Sequence, residues 1–186
     1  MSVDSKAKLF QEKGMKTTSS FLALALLIFL GSAYQANALE VAGYSFKAPS
    51  DWVSSPPSSK MRKAQFSFPG KSGEKGEVVF YHFGSGGAGG VKANVDRWMK
   101  QFKDPQGQSV KTETVGDTKV TYAQAHGTYL SGRPFGPKTP NSGYAMLAAI
   151  IEGKQGAIFV KMTGPKQAVD AHAAKLKKMV SDSLAK

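Results

Sequence analysis

Two hydrophobic periods alternate along residues 39–186, and each switch between them marks an element. The stretch Met61–Phe68 sets Arg62, Ala64, Phe66 and Phe68 against Met61, Lys63, Gln65 and Ser67, a period of two that predicts a half-buried strand. Ahead of it, Val41–Ala48 reads as one strand with Tyr44 and Phe46 on the same face. Pro49–Trp52 reads as a tight turn that drops Trp52 towards the core, and Ser54–Ser59 as a loop. Pro69–Gly76 is a turn, and Glu77–Phe83 a strand running into the glycine-rich Gly84–Gly90. The period then changes. Val91, Val95, Trp98, Met99 and Phe102 fall on one face at 3.6 residues per turn, predicting a helix from Gly90 or Val91 that Asp104-Pro105 ends.

Beyond the helix, Val110–Val115 and Lys119–Leu130 flank Gly116-Asp117 as the arms of a hairpin. Gly132–Gly143, with three prolines and three glycines, reads as a long surface loop. Tyr144–Glu152 and Ala157–Thr163 are apolar strands around the Gly153–Gly156 turn; continuous runs such as AMLAAII predict central strands covered on both faces. Pro165 suits the first turn of a last helix whose buried face is Val169, His172, Ala173, Leu176, Val180 and Leu184. The sum is an α+β domain over residues 39–186, a mostly antiparallel sheet of about seven strands with one inserted and one C-terminal helix packed on it.

The first 38 residues read differently. Residues 21–30, FLALALLIFL, are ten unbroken apolar positions, short of the roughly 20 that span a bilayer and suited to a signal-peptide core. Lys13 and Lys16 flank it, and Ala36-Asn37-Ala38 fits a cleavage site that starts the mature chain at Leu39. Met15 makes a more ordinary start, so residues 1–14 read as an upstream extension. The expectation is an exported protein, periplasmic or extracellular, with no membrane span after cleavage. The absence of cysteine excludes disulfides, thiolate chemistry and a lipoprotein anchor.

The formal charge is +12, and setting aside the four lysines and two acidic residues before Leu39 leaves +10. Such a balance favours anionic partners in the cell envelope. The lysines are scattered, however, and no basic tract alternates with stacking aromatics, so nucleic acid is not an expected partner.

Candidate chemistry narrows the picture mainly by elimination. Gly84, Gly86 and Gly89 match G-x-G-x-x-G, but a hairpin follows the helix where a dinucleotide site needs a parallel strand, and no acidic residue stands clearly about 20 positions on. His82, His126 and His172 are far apart, no serine lies in G-x-S-x-G, and no carboxylate pair stands out. No catalytic residue, metal site or cofactor is expected. What remains is an anion-binding candidate: backbone N–H groups of Gly86, Gly89 and Gly90 at a helix N-terminus, beside a stripe of Asn94, Arg97 and Gln101 spaced three and four apart. Asn94 has two amide N–H donors to give, and Arg97 a fork for carboxylate or phosphate. The ordinary alternative is that the stripe only pins the glycine loop. His172 and Trp98 read as core residues.

The segments Gly43-Tyr-Ser-Phe-Lys-Ala-Pro-Ser-Asp-Trp52, Gly89–Phe102 and Met162-Thr-Gly-Pro165, in this element order, resemble the PsbP-like fold, an α/β/α sandwich named after an extrinsic photosystem II subunit. They are similar also to uncharacterised exported bacterial proteins of that outline. The resemblance implies a non-catalytic binding or assembly factor; no manganese ligand or photosystem partner carries over, since no matching ligand motif is present. The expected function is thus a non-enzymatic envelope protein that binds a protein partner or an anionic ligand. The competing expectation is an anion-binding hydrolase or transferase, its site assembled from distant residues around Gly84–Gly90.

Overall fold

The computed structural model describes residues 38–133 and 135–185, so the expected signal peptide lies outside the described residues except for Ala38. No helix among the described residues is long and apolar enough to cross a membrane. Seven strands form one antiparallel sheet: β3 (Val53–Ser55), β4 (Arg62–Pro69), β5 (Lys75–His82), β6 (Phe102–Val115), β7 (Thr118–Ser131), β8 (Thr139–Gly153) and β9 (Gly156–Pro165). Their spatial order is β3-β4-β5-β9-β8-β7-β6, which puts the apolar strands β8 and β9 in the interior, as their unbroken hydrophobic runs predict. Two further strands, β1 (Ala38–Val41) and β2 (Tyr44–Lys47), form a separate hairpin. The α+β expectation holds.

The two faces of the sheet are covered unequally. Helix α2 (Lys166–Leu184) packs on one face with Phe46, Trp52, Phe66, Phe68, Phe80, Ile158, Val160 and Met162. Leu176, Val180 and Leu184 are buried there as expected; Ala168 and Met179 join them, and Ala173 is only partly buried. His172 is a core residue too. Its Nδ1 accepts from Trp52 Nε1 at 2.9 Å and its Nε2 lies 3.1 Å from the Pro69 carbonyl, which fixes the neutral tautomer with the proton on Nε2. Helix α1 (Val91–Met99) lies on the opposite face over Ala123, Ala125, Met146, Ala148, Ile150 and Phe159. At nine residues it is about 14 Å long, too short to roof a seven-stranded sheet. It contacts β6 and β7, and the β4–β5–β9 part of that face stays open.

Ser54 and Ser55, expected in a loop, pair with Phe66 and Gln65 in β3, and local signals misled in four further places, each for a physical reason. Val41–Ala48 is not one strand: Ala42 and Gly43, at φ 50° and 81°, turn the chain back into the β1–β2 hairpin. Alanine at the first turn position replaces the usual Asn, Asp or Gly, so no hairpin cue was visible. The inserted helix stops at Met99, and Phe102 already belongs to β6, buried against α1 rather than within it. Asp104-Pro105 therefore marks a bulge in the edge strand, not a helix end; Asp104 takes φ 50° and the β6–β7 register shifts between Lys103 and Gln106. Similarly β8 begins at Thr139, because Thr139, Pro140 and Asn141 still pair with Ser131, Leu130 and Tyr129; only 132–138 is loop. The fourth is Arg62, which does not share a face with Ala64, Phe66 and Phe68. A register shift pairs Ala64 with Phe80 but Arg62 with Tyr81, so Lys63 is the extra residue and Arg62 turns to the α1 side.

Candidate functional site

The open part of the α1 face is a cleft of about 1090 Å³. Its floor is the sheet: Glu77 and Tyr81 on β5, Phe159, Lys161 and Thr163 on β9, with Arg62 on β4. One wall is α1, through Asn94, Arg97 and Trp98, with Gln101 in the turn after the helix rather than on it as the spacing predicts; the rim adds Tyr129, Arg133, Asn141 and Tyr144. Alternation along β9 explains the placement. Ile158, Val160 and Met162 point into the α2 core, so Phe159, Lys161 and Thr163 must point to the other face.

Lys161 dominates the site. It is 8 % exposed, yet it sits on the fourth of seven strands with a cation at the end of its side chain. Its Nζ donates to Gln101 Oε1 across the α1–β9 junction and to the Tyr129 hydroxyl at 3.1 Å, with the Tyr129 ring centroid 5.1 Å away. Burial pulls its pKa from the usual lysine value down to about 7; Arg62 lowers it further, and Glu77 opposes the fall. The amine is therefore poised between charged and neutral forms near neutral pH. Around it burial pushes the Tyr129 phenol up to about 12, helped by Tyr81 and Glu77, so this hydroxyl stays protonated as a donor. Burial raises Tyr81 as well.

Arg62 is held at the side of the floor. Its Nη1 donates to Gln65 Oε1 at 2.8 Å and bridges Glu77 Oε1 at 2.5 Å. Glu77 is the acidic side chain in the lining, against the basic Arg62, Lys75, Arg97, Arg133 and Lys161. The cleft is thus basic in balance, with an apolar body made by Tyr81, Phe83, Trp98, Tyr144 and Phe159. Such a lining suits a small organic anion with an apolar part.

The stripe expected from sequence is only half of this site. Asn94, Arg97 and Gln101 do line the cleft together. However, Asn94 is buried and its Nδ2 donates back to the carbonyls of Ala88 (2.9 Å), Gly89 (3.3 Å) and Gly90 (3.0 Å). Its Oδ1 accepts from Arg97 Nη2. The two donors of Asn94 are consumed in fastening the glycine loop, and Gln101 is engaged with Lys161. Arg97 is exposed and keeps further N–H groups for the cleft. Gly86, Gly89 and Gly90 are exposed and stand outside the lining. Gly86 and Gly89 serve backbone geometry: their φ values are 71° and 72°, and a Cβ on either would meet nothing within 4 Å.

Lys161, Tyr129, Arg62 and Tyr144 escaped the sequence reading. One signal was present: a lysine inside the apolar run AIFVKM, at a position where a strand interior ordinarily excludes charge. Arg62 gave none, because its orientation depends on the bulge. Among the described residues no group of His, Cys, Asp or Glu could hold a metal ion.

No protein-family model matches the chain, and no curated protein does. Among solved structures the chain is similar to the solution structure of cyanobacterial PsbP (CyanoP) from Synechocystis sp. PCC 6803, with 16 % identity and a TM-score of 0.48. That likeness covers 75 % of this chain and 84 % of the other.

Proposed function

We propose that the protein is an exported, non-enzymatic binding protein of the cell envelope, whose α1-side cleft takes a small organic anion. The observation that carries this reading is the buried Lys161 at the floor of a basic, aromatic-lined cleft. A buried amine is expensive to keep, and a ligand carboxylate or phosphate would supply the charge it lacks. Arg97 and Arg133 at the wall and rim add positive charge. No observation specifically favours the hydrolase or transferase alternative.

Calorimetric titration of small carboxylates and inorganic phosphate at low salt tests the reading. Arg97→Lys keeps charge but loses the fork, and its affinity should fall about tenfold, ~1.4 kcal/mol. Affinity of the wild type should also fall as pH rises above about 7, since deprotonation of Lys161 removes the buried charge. Absence of binding at low salt, or affinity indifferent to both changes, would remove the cleft as an anion site.

Export is supported by the apolar core of residues 21–30 and by Ala36-Asn37-Ala38. Cleavage there would leave Leu39, Glu40 and Val41 paired with Phe46, Ser45 and Tyr44. Intact-mass measurement of the exported protein should give a chain starting at Leu39. Retention of residues 21–38 would replace the soluble reading with an anchored one.

A further inference from the structure

Lys161 has more chemistry available than a counter-charge. We infer that its Nζ condenses reversibly with the carbonyl of a small oxo acid bound in the cleft, the acid group being held by Arg62 or Arg97. This rests on the anion-binding reading and names the ligand class within it.

Three features of the geometry carry the inference. The amine is fixed at both sides, by Gln101 from the turn between α1 and β6 and by Tyr129 from β7, so its direction is set before any ligand arrives. It sits on the central strand of the sheet at the floor of the cleft, 8 % exposed and walled by Phe159, Trp98 and Tyr129, so a ligand entering the cleft meets the amine against an apolar wall. The hydroxyl of Tyr129, 3.1 Å from Nζ, is a proton donor within reach of an oxygen attached to the carbon that Nζ attacks. A lysine held mostly protonated would be inert towards carbonyls, and burial here keeps a substantial neutral fraction at neutral pH.

The step balances without a redox partner. The Nζ lone pair forms the C–N bond, and one proton passes from that nitrogen to the carbonyl oxygen, giving a neutral carbinolamine. That hydroxyl leaves as water with a proton from the Tyr129 hydroxyl as the nitrogen lone pair closes the C=N bond. The iminium N–H proton returns to the Tyr129 oxygen, leaving a neutral imine and one water. Water reverses the sequence and returns both amine and oxo acid. Capture of this kind holds a ligand without consuming it, so it needs no catalytic carboxylate or histidine.

The test is reductive trapping. The protein is incubated with pyruvate and cyanoborohydride at neutral pH, then intact mass and peptide mapping locate the adduct. A single adduct on the peptide containing Lys161 is expected, formed about tenfold faster than adducts on exposed lysines and slowed by Tyr129→Phe. Lys161→Arg keeps a cation and should give no such adduct; circular dichroism and thermal melting confirm that it is folded. Pyruvamide, which keeps the ketone but lacks the acid group, should label Lys161 more weakly than pyruvate. Adducts spread over surface lysines with Lys161 spared would overturn the inference. So would equal labelling by pyruvamide, which would leave a reactive lysine without acid recognition. Pyruvate binding seen by calorimetry without an adduct would overturn imine formation alone and leave the anion site standing; neither binding nor adduct would remove both.

Discussion

Trp52→Ala is expected to cost about 3–5 kcal/mol of folding stability, more than the same truncation at Trp98. Trp52 is 2 % exposed and its ring stands 6.3 Å from Phe66, 6.0 Å from Phe68 and 6.3 Å from His172, so its removal leaves a closed cavity between hairpin, sheet and α2. Truncation also strips the donor from His172 Nδ1, which is then buried with an unmet acceptor. Trp98 is buried against Phe159 but borders the cleft, so water can enter the space it vacates.

The Trp52 variant should alter pH dependence too. Burial, with Lys175 beside it, lowers the His172 pKa below the usual histidine value, against the opposing pull of Asp51 and the Pro69 carbonyl. The unfolded chain then binds more protons than the native one just below pH 6.5, so stability falls as pH drops from there towards the native pKa. With the indole gone, Nδ1 can take a proton facing Asp51, 3.9 Å away, and that acid slope should flatten. Denaturant titrations across the acid range measure both effects. Equal losses for the two tryptophan variants would mean that the cleft edge packs as tightly as the α2 core.

How much of this was legible in the sequence follows from which interactions are local. The helical face of α2, the turn at Gly116-Asp117 and the buried runs of β8 and β9 rest on periodicity and turn chemistry within a few residues, and all were readable. The ends of α1 and β8 were not, because pairing across the sheet overrides a proline's local preference when it sits at a bulge or on an edge. The site divides in the same way. Asn94 and Arg97 are neighbours on one helix and bond within it and its glycine loop, so spacing alone grouped them; Gln101 stands in the turn after α1, and its partner Lys161 comes from a distant strand. Lys161, Tyr129 and Arg62 meet only through the strand order β4-β5-β9-β8-β7, with Arg62 further dependent on one extra residue in β4. No pattern in a single chain states that order. The lysine inside an apolar strand was the one readable hint, and it identifies a residue without its partners.

Lys161→Met should raise stability while abolishing anion binding. In the native state the Lys161 pKa falls to about 7, against 10.5 in the ordinary case, with burial as the main cause. A depressed native pKa means the unfolded chain binds more protons between these values, so wild-type stability rises with pH through that window. At neutral pH the native protein therefore carries a penalty that an apolar side chain of similar length does not. Relief is expected to be on the order of 1–4 kcal/mol, by analogy with buried charges replaced by packed apolar groups. The gain should shrink as pH approaches 10.5, where lysine is neutral in both states. Gln101 and Tyr129, the partners left behind, both border the cleft and can be resolvated, which limits the offsetting cost. A residue that destabilises its own fold at the floor of a cleft is the signature of a binding requirement rather than of packing. Parallel denaturation curves and calorimetric titrations of the two proteins decide the matter. If Lys161→Met is less stable than wild type at neutral pH, the lysine is a structural tie between α1, β7 and β9, and the cleft loses its principal claim to a ligand.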